Sequence, residues 1–276
     1  METLNCAGQI LDLSTPKVMG ILNVTPDSFH DGGRYLSEQL VIKRVEDMLN
    51  SGADLIDIGG YSSRPGAEHI SQSEEKKRVM PFIRAIVWEF PKLLLSIDTF
   101  RSEIAREAVE AGACMVNDIS GGNLDAKMFG TVAKLKVPYV LMHMRGTPQN
   151  MQENTHYDNL ISEVVNYFRI KITQLRELGV NDVIIDPGFG FGKSVDGNYK
   201  LLHRLGALSI LECPILAGIS RKGMVQKVFG KDDANALKGT MALNLISLLE
   251  GASVLRVHDI KEAKDMVALY SRLLPQ

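Results

Sequence analysis

The sequence predicts an α/β fold: a single (β/α)8 barrel, the TIM barrel, with a short N-terminal β-ribbon that closes the barrel floor. Two observations lead to this prediction: a strand-and-helix unit that recurs eight times, and polar residues at the carboxyl ends of nearly all the strands. The chain has 276 residues, a length that suits one such barrel. Because no Pro/Ser-rich linker or shift in composition divides it, residues 1–276 are expected to form one domain.

The repeated unit is a short apolar run rich in β-formers, then a polar loop, then a longer stretch with apolar residues at helical spacing. Each unit has about 30 residues, the length of a strand–helix–strand crossover. The eight runs predicted as strands are Val18–Val24, Asp54–Gly60, Leu93–Thr99, Met115–Ser120, Tyr139–Met144, Val183–Gly188, Ile215–Ser220 and Val254–Asp259.

Local signals support the intervening helices and the ribbon. Ser71 and Glu74 have capping-box spacing at the start of the second helix, which the periodicity predicts from Val79 to Phe90. Three glycines stand where a left-handed C-cap is expected: Gly112, Gly179 and Gly251. The ribbon is predicted before the first strand from three apolar residues: Ile10, Leu11 and Leu13.

The polar strand ends favour a closed barrel over an open doubly wound sheet, which needs polar residues at only two or three strand ends. Alternation along the strands turns many of these residues inward, where the loops of a barrel enzyme build the active site. The polar residues at the strand ends are Asn23, Asp57, Asp98, Asn117, His143, Asp186, Ser220, Arg256 and His258.

Composition excludes several other classes of protein. The 31 Lys+Arg and 33 Asp+Glu give a formal net charge of −2, and without a basic block the chain does not resemble a nucleic-acid-binding protein. No apolar run approaches the roughly 20 residues of a membrane span, and Met1–Thr15 lacks the features of a secretory signal. Three scattered cysteines without CxxC spacing favour a reducing cytoplasm over disulfides or a zinc site.

Asp98, Asn117 and Asp186 form a polar set at the ends of strands three, four and six. Burial of carboxylates is costly unless they are paired or hydrogen-bonded. A planar heterocycle with several N–H donors, such as a pterin or guanine-like ring, would satisfy all three side chains at once. An ion-pair network with Arg256 and Lys222 is the alternative interpretation.

A cationic set follows strands seven and eight: Lys222, Arg256 and His258. Barrel enzymes often bind phosphate there, and Asn23 would suit a Mg²⁺ held mainly by phosphate oxygens. Because the sequence has no HExxH motif, paired His or Cys cluster, a zinc or iron centre is not expected.

The longest loops, after strands one and two, are rich in Gly and Pro and are typical of lids or ligand clamps. The segment Asp186–Ser194 matches neither a Walker A loop nor a dinucleotide fingerprint. Its glycines would let the backbone pass close to a ligand, and Phe191 would offer a flat apolar surface.

Eight segments, one per unit, also resemble the motifs of a known family, the dihydropteroate synthases of folate biosynthesis, which sulfonamides inhibit. They are Gly20–Phe29, Gly59–Gly66, Ser96–Thr99, Val116–Gly122, Leu141–Pro148, Asp186–Lys193, Gly218–Lys222 and Arg256–Asp259. The resemblance implies condensation of 6-hydroxymethyl-7,8-dihydropterin pyrophosphate with p-aminobenzoate, giving 7,8-dihydropteroate and pyrophosphate. It also implies Mg²⁺ as cofactor and a cytoplasmic homodimer with small-molecule substrates.

The resemblance assigns residues to each part of the site. On this resemblance, the pterin would be bound by Asp98, Asn117 and Asp186, with Met142, Lys222 and Arg256 around the ring. Pyrophosphate and Mg²⁺ would be bound by Asn23, Arg256 and His258. The aminobenzoate pocket would be shaped by Phe29, Ser63, Arg64, Pro65, Phe191, Ser220 and Lys222. Tyr61 and Ser63 replace the Glu and Thr of the commonest family pattern.

The implied mechanism is a dissociative, SN1-like step in which positioning does most of the catalysis. The residues expected to carry it are Asp98, Asp186, Lys222, Arg256 and His258. Three alternatives stay open: a methyltetrahydrofolate-binding domain of a methyltransferase, a class I aldolase with Lys222 as Schiff base, and a barrel that binds pterin without catalysis.

Overall fold

A computed structural model of the chain describes residues 3–25, 33–62, 69–230 and 232–273. The first two strands, β1 (Thr3–Cys6) and β2 (Gln9–Asp12), form an antiparallel hairpin. Leu4, Cys6 and Leu11 are buried against apolar side chains from the amino ends of the barrel strands. The predicted ribbon is therefore confirmed, and it covers the barrel floor.

Eight parallel strands follow and pair in one sheet, in the order β8-β7-β6-β5-β4-β3-β10-β9. A further parallel bridge between Ile185 and Ile215 joins the two ends of that order, so the sheet closes into a barrel. The strands are β3 (Lys17–Asn23), β4 (Leu55–Gly59), β5 (Leu94–Asp98), β6 (Met115–Asp118), β7 (Tyr139–Met142), β8 (Val183–Asp186), β9 (Leu216–Ala217) and β10 (Val254–Val257).

Each of the eight predicted runs overlaps one of these strands, which confirms the predicted barrel. The seventh is shorter than predicted, because regular pairing covers only Leu216–Ala217. The rest of the predicted run, residues 218–220, leads directly into the turn at Arg221.

Helices separate the strands and pack on the outside of the barrel. They are α1 (Gly33–Asn50), α2 (Gln72–Glu89), α3 (Ser102–Glu110), α4 (Met128–Leu135), α5 (Leu160–Glu177), α6 (Val195–His203), α7 (Gly223–Phe229), α8 (Asp233–Leu249) and α9 (Ile260–Leu273). In the part of the chain that the structure describes, short 3-10 helices also cover Met151–Glu153 and Leu205–Leu211. Among the described residues, none of these helices is long and apolar enough to cross a membrane.

The helix signals read from the sequence are largely confirmed. The Ser71 side chain caps α2 by accepting a hydrogen bond from the Glu74 N–H. The three predicted C-cap glycines, Gly112, Gly179 and Gly251, have positive φ values of 110°, 83° and 94°. The prediction that α2 begins at Val79 is wrong, since the helix starts at Gln72. Its first turn is polar, so apolar periodicity detects the helix only where its buried face begins.

Candidate active site

A cavity of about 1480 Å³ opens at the carboxyl ends of the barrel strands. Ten of the residues predicted from the sequence line it together: Asn23, Asp98, Asn117, Met142, Asp186, Phe191, Ser220, Lys222, Arg256 and His258. Four others, Phe29, Ser63, Arg64 and Pro65, lie outside the described residues. The strand ends therefore bring together side chains that are up to 235 positions apart in numbering, from Asn23 to His258.

Strand register explains why the ring is continuous. Asn23 is aligned with Gly59, Gly59 with Asp98, and Asp98 with Asn117, and side chains at aligned positions of parallel strands face the same side of the sheet. Gly59 contributes no side chain, and a Cβ built there would lie 3.2 Å from the Asp98 Cβ. The glycine thus leaves space for the carboxylate at this level.

Arg256 pairs with two carboxylates inside the barrel. Its Nε donates to Asp57 Oδ2 at 2.6 Å, and its Nη2 donates to Asp98 Oδ2 at 2.7 Å. Asn117 Nδ2 donates to the same Asp57 oxygen at 2.8 Å. The ion-pair interpretation is therefore correct for Asp98 and Arg256, and the network fixes both side chains at the base of the cavity.

Asp57 belongs to this network, although no chemical role is predicted for it from the sequence. Its side chain is fully buried, and its second oxygen, Oδ1, has no hydrogen-bond partner among the described residues. A buried carboxylate next to an arginine is retained because each compensates the desolvation of the other. The signal in the sequence is an aspartate inside the apolar strand Leu55–Gly59. It lies two residues before Gly59, the position that is aligned with Asn23 and Asp98.

Asp186 and Lys222 meet at the loop that follows β8. Asp186 Oδ1 accepts from the Gly188 N–H at 2.7 Å, while Lys222 Nζ donates to the Phe189 carbonyl at 2.7 Å. The same Nζ lies 4.6 Å from the centre of the Phe191 ring, within cation–π range. A charged donor, a buried carboxylate and an aromatic face are therefore adjacent on this side of the cavity.

The turn between β9 and α7 places Ser220 and Lys222. Arg221 between them has φ +57°, a left-handed conformation that is unfavourable for a residue with a side chain. Its guanidinium holds the turn through two hydrogen bonds to Asp259, of 3.0 and 2.7 Å. Ser220 Oγ lies 3.0 Å from His258 Nδ1, so β9 and β10 are also linked at the cavity wall.

Burial and charge change the acidity of these groups. Burial raises the pKa values of Asp98 and Asp186, although Arg256 and Lys222 act in the opposite direction. Burial lowers the pKa of Lys222 to about 8, against the effect of Asp186. Burial also opposes the charge of Arg256, but Asp57 and Asp98 outweigh it and raise the pKa. Perturbed groups gathered in one cleft are typical of a functional site.

The prediction that His143 belongs to the inward ring of polar strand ends is wrong. Met142 lines the cavity, so the next residue turns to the outside of the barrel. The His143 ring packs edge-to-face against Tyr167 of α5, with 4.8 Å between ring centres. It is therefore part of the layer between barrel and helices.

Tyr61, which departs from the commonest family pattern, is buried at the rim of the cavity. Its hydroxyl accepts a hydrogen bond from Gln149 Nε2 at 2.8 Å and lies 3.2 Å from His69 Nδ1. It thus connects the loop after β4 with the loop after β7.

The described residues contain no group of three His, Cys, Asp or Glu side chains that could hold a metal ion. The half-buried carboxamide of Asn23 faces the cavity. A single oxygen ligand suits Mg²⁺, which usually keeps several waters and binds phosphate oxygens of the substrate.

Fold and site together define a class: a barrel enzyme whose cavity suits a polar heterocycle beside an anionic group. Comparison with known proteins agrees, since residues 19–258 match the family described as pterin binding enzyme. The dihydropteroate synthase of Escherichia coli K12 is 41% identical over 273 residues, which cover 97% of this chain and 95% of that protein.

Solved structures are similar over the whole chain. Xanthomonas albilineans dihydropteroate synthase with 4-aminobenzoic acid has a TM-score of 0.91 and 40% identity, covering 99% of both chains. A structure of the X. albilineans enzyme in complex with 7,8-dihydropteroate has a TM-score of 0.86 and 35% identity, covering 100% of both chains. The chain therefore belongs to the dihydropteroate synthase family of pterin-binding transferases.

Proposed function

We propose that this cavity joins 6-hydroxymethyl-7,8-dihydropterin pyrophosphate to p-aminobenzoate by a dissociative, SN1-like step. The observation that carries the proposal is the placement of Asp98, Asn117 and Asp186 beside the cations Lys222 and Arg256 in one cavity. The complexes of similar enzymes with 4-aminobenzoic acid and with 7,8-dihydropteroate support the same reacting groups here.

Binding of the pterin uses the acceptors of the site. The carboxylates of Asp98 and Asp186 and the carboxamide of Asn117 accept N–H groups of the ring, and the buried Met142 packs against it. Lys222, Arg256 and His258 donate to the pyrophosphate, where negative charge increases as the leaving group departs.

In the chemical step, the bond between the methylene carbon and the pyrophosphate oxygen breaks, and its electron pair leaves with pyrophosphate. The cation that forms is delocalised into the pterin and stabilised by the two carboxylates. The amine lone pair of p-aminobenzoate then forms the C–N bond, and the nitrogen loses a proton to water. The amine needs no strong base, so Phe191, Ser220 and Lys222 act by positioning it.

We also propose that Asn23 contributes a ligand to Mg²⁺ bound with the pyrophosphate. When bound, the ion neutralises charge on the leaving group. Its other ligands would be phosphate oxygens and water.

The test is pyrophosphate release from the pterin substrate, with and without p-aminobenzoate and Mg²⁺. We expect fast release with both substrates and Mg²⁺, and slower release without p-aminobenzoate because water intercepts the cation. No release with both substrates would contradict the function, and strict dependence on p-aminobenzoate would contradict the dissociative step. Full activity in metal-free buffer with a chelator would contradict the role of Mg²⁺.

We propose, finally, that the enzyme is a cytoplasmic homodimer. All three cysteines are buried and free, as is usual for a protein of a reducing compartment. Exposed apolar side chains on α8 and α9, Leu249 and Leu269 among them, offer surface for a second copy. The mass in solution from light scattering tests the dimer, and a monomer at micromolar concentration would contradict it.

A further inference from the structure

The loop after β8, residues 188–192, is held by side chains along its whole length, and we name it the glycine loop. Gly188, Gly190 and Gly192 have φ values of 68°, 84° and 61°, which only glycine adopts readily. Each of the five carbonyls accepts a side-chain hydrogen bond. The donors, in the order of the carbonyls, are Lys193, Lys222, Gln152, Lys193 again and Tyr157.

Lys193 makes two of these five contacts, one at each end of a turn. Its Nζ lies 3.0 Å from the Gly188 carbonyl oxygen and 3.0 Å from that of Phe191. The side chain is only 3% exposed. These two contacts fix the stretch of backbone that carries Phe189 and Phe191.

The third partner of Lys193 is His143, the histidine that faces away from the cavity. The Lys193 Nζ lies 2.9 Å from His143 Nδ1 and 3.3 Å from the His143 carbonyl oxygen. An ammonium has three donors and no acceptor, so Nδ1 accepts and the ring carries its proton on Nε2. Burial lowers the His143 pKa well below its ordinary value, which agrees with a neutral ring.

The glycine loop in turn contacts the groups that face the substrates. Its Gly188 N–H donates to Asp186, its Phe189 carbonyl accepts from Lys222, and its Phe191 ring lies under the Lys222 ammonium. Asp98 and Asn117 belong to β5 and β6, at the ends of other strands. A displaced glycine loop would therefore alter the side of the cavity formed by Phe191 and Lys222 most strongly.

We propose that Lys193 is a positioning residue for p-aminobenzoate binding, because its ammonium holds the glycine loop and thereby places Phe191 and Lys222. This proposal rests on the proposed function. It adds a residue whose Nζ makes hydrogen bonds to the glycine loop and to His143. Burial of an ammonium is costly unless hydrogen bonds compensate it. The donors on Nζ make those hydrogen bonds to the glycine loop, which an apolar side chain of similar length could not do. Burial lowers the pKa of Lys193 to about 7, against the effect of Asp186.

The test replaces Lys193 with methionine, which fills similar space without donors, and compares steady-state kinetics for both substrates. We expect the KM for p-aminobenzoate to rise about tenfold, the usual order for buried acceptors that lose their donors. The KM for the pterin substrate should rise less, because the loop reaches that substrate only through Asp186 and Lys222. Asp98, Asn117 and Arg256 are held by hydrogen bonds that do not involve the loop. Lys193→Gln keeps two N–H donors and should give an intermediate KM. Lys200→Met, on an exposed lysine of α6, is the matched control and should leave both KM values unchanged.

The outcomes separate the two proposals. If the wild-type protein forms no dihydropteroate, the proposed function fails and the role of Lys193 fails with it. If the wild type is active and the two KM values rise in equal proportion, or neither changes, Lys193 has no specific positioning role. Should Lys193→Met not fold, the same comparison of KM values in Lys193→Gln decides.

Discussion

Arg256 links the buried interior of the barrel to the cavity through two ion pairs. It pairs with Asp57 below and with Asp98 at the rim of the strands. Two carboxylates around one guanidinium keep it charged and fix its direction. In the proposed mechanism, the donors that remain on the guanidinium are thereby directed at the pyrophosphate.

Asp57→Asn should weaken the ion pairs that hold Arg256, although Asp57 itself does not line the cavity. The change removes the charge that pairs with Arg256 Nε and that accepts from Asn117, and a broken buried ion pair is costly. We expect kcat/KM for the pterin substrate to fall at least about tenfold, and the thermal midpoint to fall as well. Steady-state kinetics and calorimetry measure both, and an unchanged kcat/KM would show that Asp57 does not position the site.

The pH dependence of kcat/KM should be bell-shaped. Asp98 and Asp186 must be ionised to accept N–H groups, and burial raises their pKa values, so activity falls as the pH drops through those raised values. Lys222 must be charged, and its pKa of about 8 means that activity also falls as the pH rises through about 8. Loss of the Lys193 ammonium, whose pKa burial lowers to about 7, should add to the fall on this alkaline side. A profile of kcat/KM reports the free enzyme. An alkaline limb at the ordinary lysine pKa of 10.5 would contradict the role of a buried Lys222.

At this scale, alternation along strands predicted that Asp98, Asn117 and Asp186 face the cavity, but the predicted ring of inward polar residues wrongly included His143. Alternation could not give Asp57 or Lys193 a role, because Asp57 pairs with a residue far along the chain and Lys193 bonds to backbone carbonyls and to His143. Asp57 contacts Arg256 across 199 positions, and Lys193 acts through carbonyl groups and His143. Such contacts depend on barrel shear and loop conformation, which a single sequence does not specify.

Among the elements, the β1–β2 hairpin is the one that serves stability and not chemistry. Leu4 is 1% exposed and packs against the floor of the barrel, at the opposite end from the cavity. The hairpin therefore offers a way to separate folding from activity.

Leu4→Ala should lower the free energy of unfolding by about 3 kcal/mol, because it leaves a cavity in a packed core. Both KM values should stay unchanged in the folded enzyme. Ile10→Ala, on the same hairpin but 65% exposed, should cost less than about 0.5 kcal/mol. Urea unfolding monitored by circular dichroism measures both variants, and equal losses would show that the hairpin does not pack as described.

Element boundaries were predicted less well than element order. The start of α2 is set by the Ser71 cap and not by the apolar stripe, and β9 is short because its ladder pairs only two residues with β10. Both differences arise where backbone hydrogen bonding, and not side-chain burial, determines the end of an element.

For the whole molecule, the eightfold unit gave the fold because each run ends at the same face of one barrel. The near-zero net charge read from the composition conceals a buried arrangement in which Asp57, Asp98 and Asp186 stand beside Arg256 and Lys222. That arrangement, and not the surface charge, is what the proposed reaction uses.

The most direct test of the central claim is formation of 7,8-dihydropteroate, detected by mass spectrometry, by the wild-type enzyme and by Asp186→Ala. The wild type should form the product from both substrates with Mg²⁺. Asp186→Ala should form none while keeping the circular dichroism spectrum of a folded barrel. Near-normal turnover by Asp186→Ala, or no product from the folded wild type, would contradict the account.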